Sequence, residues 1–378
     1  MWLGEIVFWV SVAFITYAYV GYPLALRGIS LLRTRRVEKA DVSPSVTFII
    51  TAYNEEKRIA EKLENTLKLV YPRPRLEILV ASDCSSDRTD EIVKSYRDRG
   101  IQLVRAPERK GKEAAQKLAV AVAKGEILVF SDVATILPEL AVSNIVKNFH
   151  DSTVGCVSSV DRFVDQDGRV SGEGAYVRYE MFLRSLETRV NSLVGLSGSF
   201  FAARREVCQD WKEHLQSDFN TLLNSVVRGL RGVSDPDSEG FYKNLKDEKK
   251  EYERKVRTIL RGISVVACRR EMLNPFRYGL FAWQLFSHKV CRWLVPFALL
   301  GALISALSLA KYSGVYLVFF GLQACFYAMA AFGLVFAVSK PSFMKLSSFF
   351  VLVNISTLHA WIRFAEGKRV VAWESSKR

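Results

Sequence analysis

The sequence predicts an α/β domain, Rossmann-like with a mainly parallel sheet, inserted between transmembrane helices. Short apolar strands alternate with amphipathic helices between residues 46 and 131, and long apolar runs lie toward the two ends of the 378-residue chain. Lys and Arg gather where those runs stop. Hydrophobic residues make up 49% of the chain and charged residues 24%, averages that a soluble enzyme would share, so the segregation of the apolar residues decides the class.

Ile6 to Leu26 is long enough to span a bilayer core. It has no basic n-region and no small-x-small cleavage site, which argues against a signal peptide. Arg27, Arg33, Arg35, Arg36 and Lys39 follow at once, so this end of the span is expected in the cytoplasm, with residues 1–40 as a membrane helix and basic collar. The α/β domain is expected over 41–273. Its strands read as Val46–Thr51, Leu76–Ala81, Ile101–Arg105 and Ile127–Ser131; its helices read as Glu55–Val70, Asp87–Arg99 and Lys112–Lys124. The charged stretch Lys243 to Lys255 reads as a solvated helix or loop.

Residues 274–293 mix Phe276, Leu280, Trp283 and Phe286 with Arg277, His288, Lys289 and Arg292, the pattern of an amphipathic helix at a membrane interface. A membrane region over 294–366 holds two clear spans, Leu294–Ala310 and Val315–Val338, and a weaker one, Leu346–Ile362, which contains Asn354 and His359. Four spans would place the C-terminus outside, whereas Arg363 and the basic tail 367–378 favour the inside, so the geometry of the last segment stays open.

The net charge of +14 calls for anionic neighbours, and the basic residues largely flank apolar segments, which points to membrane lipid and away from nucleic acid. Six scattered cysteines contain no CxxC pair, and the four histidines are far apart, which excludes a zinc or disulfide framework.

In an open parallel sheet, ligands gather at the carboxyl ends of the strands. Here those ends are polar. The first strand runs into Tyr53-Asn54-Glu55, where Asn54 would also serve as a helix cap. The second ends on Asp83, with Asp87 a candidate cap. Arg109-Lys110-Gly111-Lys112 opens a helix and could hold a diphosphate, although its glycine spacing is not that of a P-loop. The fourth strand ends on Asp132, a carboxylate suited to Mg²⁺ or Mn²⁺.

In this order and spacing the motifs resemble the family-2 glycosyltransferases of GT-A fold, in their membrane-bound polysaccharide-synthase branch. The likeness covers roughly Ser43 to Gly262. It implies that Tyr53, Asn54, Glu55 and Asp83 bind the nucleotide, with Lys110 and Lys112 beside them. Asp132 then stands for the family's Asp-x-Asp element and holds the metal-diphosphate, with Ala134 at the second acidic position. The Gly198-Ser199 segment, before Arg204-Arg205, falls on the acceptor side. Ser217-Asp218 matches the acidic pair that supplies the general base, with Ser217 replacing the first acid and Asp218 as the base. Arg254 and Arg257 take the place of a Gln-x-x-Arg-Trp element whose Trp is missing, which weakens the case for processive synthesis. Tyr176 to Glu180 either line the acceptor site or form a plain helix face.

The resemblance implies an inverting, metal-dependent hexosyltransferase of the cell inner or plasma membrane, with a nucleotide sugar (a UDP-sugar) as donor. The acceptor is a growing cell-surface polysaccharide or, alternatively, a membrane lipid such as a polyprenyl phosphate or sphingolipid. Ala134 and Ser217 also motivate a reading of another class, a non-catalytic membrane scaffold. Sugar, linkage and oligomeric state are not legible.

Overall fold

The computed structural model describes residues 1–164, 175–212, 215–243, 248–335 and 342–368. The chain enters through one long helix, α1 (Trp2–Leu32), which contains a π turn at Tyr17–Gly21. The strands expected from sequence follow as β1 (Val46–Ala52), β2 (Leu76–Ser82), β3 (Ile101–Arg105) and β4 (Ile127–Asp132). Between them run α2 (Ile59–Leu67), α3 (Thr89–Ser95) and α4 (Lys112–Val122). The second half adds α5 (Ala141–Val146), β5 (Val154–Val164), α6 (Ala175–Val190), β6 (Phe200–Arg204), α7 (Ser217–Val227), β7 (Arg231–Lys243) and α8 (Glu248–Cys268).

One seven-stranded sheet results, in the order β3-β2-β1-β4-β6-β5-β7. The first four strands are parallel, and β6 runs antiparallel to both β4 and β5. Every residue of β1 is buried, because helices cover both faces of the sheet. Phe48 and Ile50 enter one core with Leu63, Val80 and Val129, and Ile49 enters the other with Leu79, Phe130, Phe201 and Leu222. The chain leaves β1 toward β2 on one side and returns through β4 on the other, so a crevice opens at their carboxyl ends. There Thr51 pairs with Asp132 and Ala52 with Ser82, which sets the polar strand ends side by side.

Several local expectations change. Helix α2 starts at Ile59 rather than Glu55, and Asn54 does not cap it. Asn54 instead takes a left-handed backbone (φ 51°), a conformation Asn tolerates better than most residues, and accepts the Ser86 N–H at 2.9 Å. Residues 54–58 are thereby tied to the loop after β2, and the Glu55 N–H donates to Thr89 Oγ1 at 2.7 Å. Asp87 does act at the foot of α3, where its carboxylate accepts the Thr89 N–H at 2.9 Å.

The segment 274–293 is not one amphipathic helix. A single turn, α9 (Pro275–Tyr278), ends at Gly279 (φ 52°), and α10 (Leu280–Leu309) then runs unbroken through a π turn at Phe286–Val290. Phe281 and Leu285 pack into the second core of the sheet domain, whereas Phe276 and Phe286 stay exposed, so the apolar residues of this segment divide between protein core and surface. Two more helices follow, α11 (Gly314–Val335) and α12 (Ser342–Ala365). Among the described residues four helices are long and apolar enough to cross a membrane, the last one included. Asn354 there donates back to the Phe350 carbonyl at 2.9 Å, which satisfies its amide inside the helix. The tail 369–378, on which much of the charge argument for the C-terminus rests, lies outside the described residues.

The charged stretch before residue 255 is largely part of α8, and that helix is not merely solvated. Val256, Leu260 and Ile263 pack on Ala360 and Trp361 of α12, and Tyr252 Oη lies 2.9 Å from His359 Nδ1. Helix α8 thus joins the sheet domain to the apolar helices.

Candidate active site

A cavity of about 340 Å³ opens at the carboxyl ends of β1 and β4. Its walls carry six cationic side chains, Arg58, Lys112, Arg184, Arg254, Arg257 and Arg261. Five carboxylates face them: Glu55, Glu113, Asp132, Asp161 and Asp218. Asp132 and Asp218, 86 residues apart, share this space with Gly198, Ser199 and Ser217.

Each group has a structural reason for its place. Asp132 ends β4, and Lys112, in the first turn of α4, donates to its carboxylate. The same ammonium donates to the Gly198 carbonyl at 3.0 Å, so one cation ties the end of β4 to the Gly198 loop. Asp218 sits in the first turn of α7 rather than at its cap, and accepts from Gln216 Nε2 at 3.0 Å. Burial pushes its carboxyl above the usual carboxylate range, while Lys112 and Arg261 pull it back. Ser217 turns inward and donates to Gln116 Oε1 at 2.7 Å, which makes it a brace for α4 rather than a second acid.

Asp83, Tyr53, Asn54 and Lys110 are not on the walls of this cavity; they form an adjoining cluster at the tips of β1 and β2. Asp83 is fully buried and accepts the N–H groups of Lys110 and Gly111, each at 3.0 Å. Burial raises its carboxyl, and those two N–H groups oppose the rise. Gly111 has φ 100°, which only glycine adopts without strain, so the bend from Asp83 into Lys112 depends on it. The Arg109 guanidinium stacks over the Tyr53 ring at 4.0 Å. The two clusters are therefore consecutive along one turn: Asp83 fixes Lys110-Gly111, and Lys112 reaches Asp132.

Several functional candidates escaped the sequence reading. Arg58 forms a two-pronged pair with Glu55 at 2.7 and 2.8 Å, and burial raises the Glu55 carboxyl against that pull. Asp161, from β5, accepts from Ser199 Oγ at 2.6 Å and from Ser197 Oγ at 2.7 Å, fixing the Gly198 loop. Arg184 comes from α6. Arg261 pairs with Glu113. The last had a legible signal, because 254, 257, 258 and 261 share one face of a 3.6-residue helix. Lys62 lies wholly buried beneath Asp132 and donates to Ser131 Oγ at 2.8 Å and the Thr135 carbonyl at 2.6 Å; burial pushes it down to about 7.

A doubly covered sheet with carboxylates at the tips of β2 and β4, and a cation-rich cavity at its switch point, defines an α/β domain suited to a nucleoside diphosphate group. Residues 47–212 match the model of glycosyl transferase family 2. Among curated relatives, a probable glycosyltransferase, YdaM, of Bacillus subtilis is 31% identical over 128 residues, 32% of this chain and 30% of that protein. The poly-beta-1,6-N-acetyl-D-glucosamine synthase of Staphylococcus aureus is 26% identical over 206 residues, 52% of this chain and 49% of that one. The chain thus spans about half or less of the length of these relatives. A solved structure of the mannosyltransferase PcManGT from Pyrobaculum calidifontis, in complex with GDP-Man and Mn²⁺, superposes with a TM-score of 0.74. The superposition covers 96% of this chain and 100% of that one at 23% identity, so the two share the GT-A fold.

Proposed function

We propose that this protein transfers a sugar from a nucleotide-sugar donor to an acceptor hydroxyl, with inversion, beside a membrane. The observation that carries this reading is the bridge from Asp132 through Lys112 Nζ to the Gly198 carbonyl, with Asp218 across the same cavity.

Asp218 takes the proton from the acceptor hydroxyl as that oxygen attacks the anomeric carbon; its raised carboxyl suits this role, because a base works best with a pKa near the working pH. Attack from the face opposite the leaving group inverts the anomeric centre. Lys112, Arg254, Arg257 and Arg261 hold and neutralise the departing nucleoside diphosphate. Asp83 and Tyr53 keep the adjoining turn in place for the nucleoside.

Asp132 is one of five carboxylates on the cavity walls, and no group of three or more His, Cys, Asp or Glu placed to hold a metal lies among the described residues. Such a site fits Mg²⁺ or Mn²⁺ only with the donor's phosphates and water completing the coordination, which is how Mg²⁺ is commonly bound. When bound, the ion would add positive charge at the diphosphate.

The acceptor reading begins from a growing extracellular or cell-surface glycan. An apolar cleft beside the site favours a second one, transfer of a single sugar to a membrane lipid. Arg27, Arg33, Arg35 and Arg36 after α1 support a catalytic domain on the cytoplasmic side.

The test is to incubate detergent-purified protein with a panel of UDP- and GDP-sugars and Mg²⁺ or Mn²⁺, and to read nucleoside diphosphate release and acceptor products. Release that disappears in Asp218→Asn supports transfer, and the product separates long chains from a single lipid adduct. No release from any donor, together with cellular function retained by Asp218→Asn, would leave the scaffold reading in its place.

A further inference from the structure

Asp132 is held between two lysines from different elements. Lys62 of α2 lies wholly buried beneath it, with its ammonium bonded to Ser131 Oγ and the Thr135 carbonyl. Lys112 of α4 approaches from the cavity side. Its ammonium pairs with Asp132 Oδ1 and also donates to the Gly198 carbonyl at 3.0 Å, so it stands in the space between the two walls. Both side chains of this pair are shielded from water, with 11% of Lys112 and 28% of Asp132 exposed. Ala134, which lines the same cavity, brings no second carboxylate to share the charge.

Arg58 pairs with Glu55, Arg254 with Glu251 and Arg261 with Glu113, whereas Lys112 pairs with the carboxylate suited to the donor's metal. The backbone that leads into Lys112 is fixed, because Asp83 accepts the Lys110 and Gly111 N–H groups, each at 3.0 Å. Its four-carbon stem is free to turn, and an ammonium on such a stem changes partners by rotation alone. A carboxylate in contact with an ammonium attracts a second cation weakly, since the two like charges would stand close together where water screens them poorly.

We propose that Lys112 is the resident counter-ion of Asp132, and that it yields this carboxylate only to a divalent ion already chelated by a nucleotide. The diphosphate of that chelate gives the displaced ammonium a new partner, so every charge stays paired through the exchange. The substrate of this site is then the preformed chelate of metal and nucleotide sugar, neither the bare ion nor the bare nucleotide. The inference rests on the transfer reading above and adds the form in which the donor is taken. The same movement of Lys112 releases the Gly198 carbonyl, on the residue that lies against Asp218.

The test is equilibrium dialysis of Mn²⁺ against the full-length protein in detergent, with and without UDP or GDP. On the unsubstituted protein, nucleotide is expected to tighten Mn²⁺ binding about 100-fold. Lys112→Met is expected to bind Mn²⁺ about tenfold tighter than the unsubstituted protein when nucleotide is absent, and the tightening by nucleotide should fall to about tenfold. Chelation in solution is the same for both proteins, so the difference belongs to Lys112. Asp132→Asn added to Lys112→Met should abolish the gain, which locates it at this carboxylate.

Mn²⁺ that binds the unsubstituted protein equally well with and without nucleotide would overturn the proposal, and this arm needs no variant to fold. So would a folded Lys112→Met protein that holds Mn²⁺ more weakly in both conditions, the pattern of a lysine that merely props the loop. Neither measurement requires turnover. A protein that shows the exchange but consumes no nucleotide sugar would count against the transferase reading alone. One that consumes donor without the exchange would count against this proposal alone.

Discussion

Gly198 and Asp218 lie against each other across the cavity: a Cβ placed on Gly198 would collide with Asp218 Oδ2. No side chain fits there unless the carboxylate moves, and Asp218 is held by Gln216 and by the Phe219 N–H. The Gly198 carbonyl meanwhile receives Lys112, so this one residue sets the spacing between the base and the cation.

Gly198→Ala is therefore expected to displace the base rather than the donor. Misplacing a reacting group by about 1 Å can cost about 10²-fold in rate. The expected outcome is a fall of that order in kcat with the donor KM near its original value, read by nucleoside diphosphate release.

Asp218→Asn should lower turnover by about 10²–10⁴-fold, the usual contribution of a general base. It should also stabilise the fold. A buried carboxyl whose folded pKa is raised supports the fold below its unfolded value and loses that support as pH climbs through the folded value. The Asn variant, free of that loss, is expected to show the higher Tm at neutral pH, and the difference should shrink as pH falls below the ordinary carboxylate range.

The rate itself should depend on pH in a predictable direction. As the proposed base, Asp218 would act only when deprotonated, so activity is expected to fall on the acid side, with its midpoint above the ordinary carboxylate range. Arg261 helps to hold that carboxyl down. Arg261→Gln should move the acid limb to higher pH, and a limb that shifted to lower pH would contradict the assignment of Asp218 as the titrating group.

Lys62 is expected to position Asp132 from below. Lys62→Met keeps the length of the side chain and removes the donor shared by Ser131 Oγ and the Thr135 carbonyl. Leaving a buried acceptor unsatisfied costs about 1–3 kcal/mol, offset in part by losing a buried amine. The looser Ser131–Thr135 turn should raise the Mn²⁺ or Mg²⁺ concentration needed for half-maximal release, while Asp218-dependent chemistry at saturating metal changes less.

The amino-acid sequence alone determined the parallel half of the sheet and the residues at its strand ends. Strands β1 to β4 lie within a residue or two of their expected bounds, because alternation of apolar strand and amphipathic helix is written in contiguous residues. A carboxylate that ends such a strand, as Asp132 does, must stand at the carboxyl edge of the sheet. Tertiary structure decided the rest. Asp161 and Arg184 carry no local motif, and reach the cavity only because β5 and α6 fold back on it. The apolar run after residue 279 could face lipid or protein by its pattern alone; packing on the second core, which involves residues some 150 positions away such as Phe130, turned Phe281 and Leu285 to protein and left Phe286 exposed. Periodicity tells which face of an element is apolar, and only the contacts among distant elements tell what that face meets.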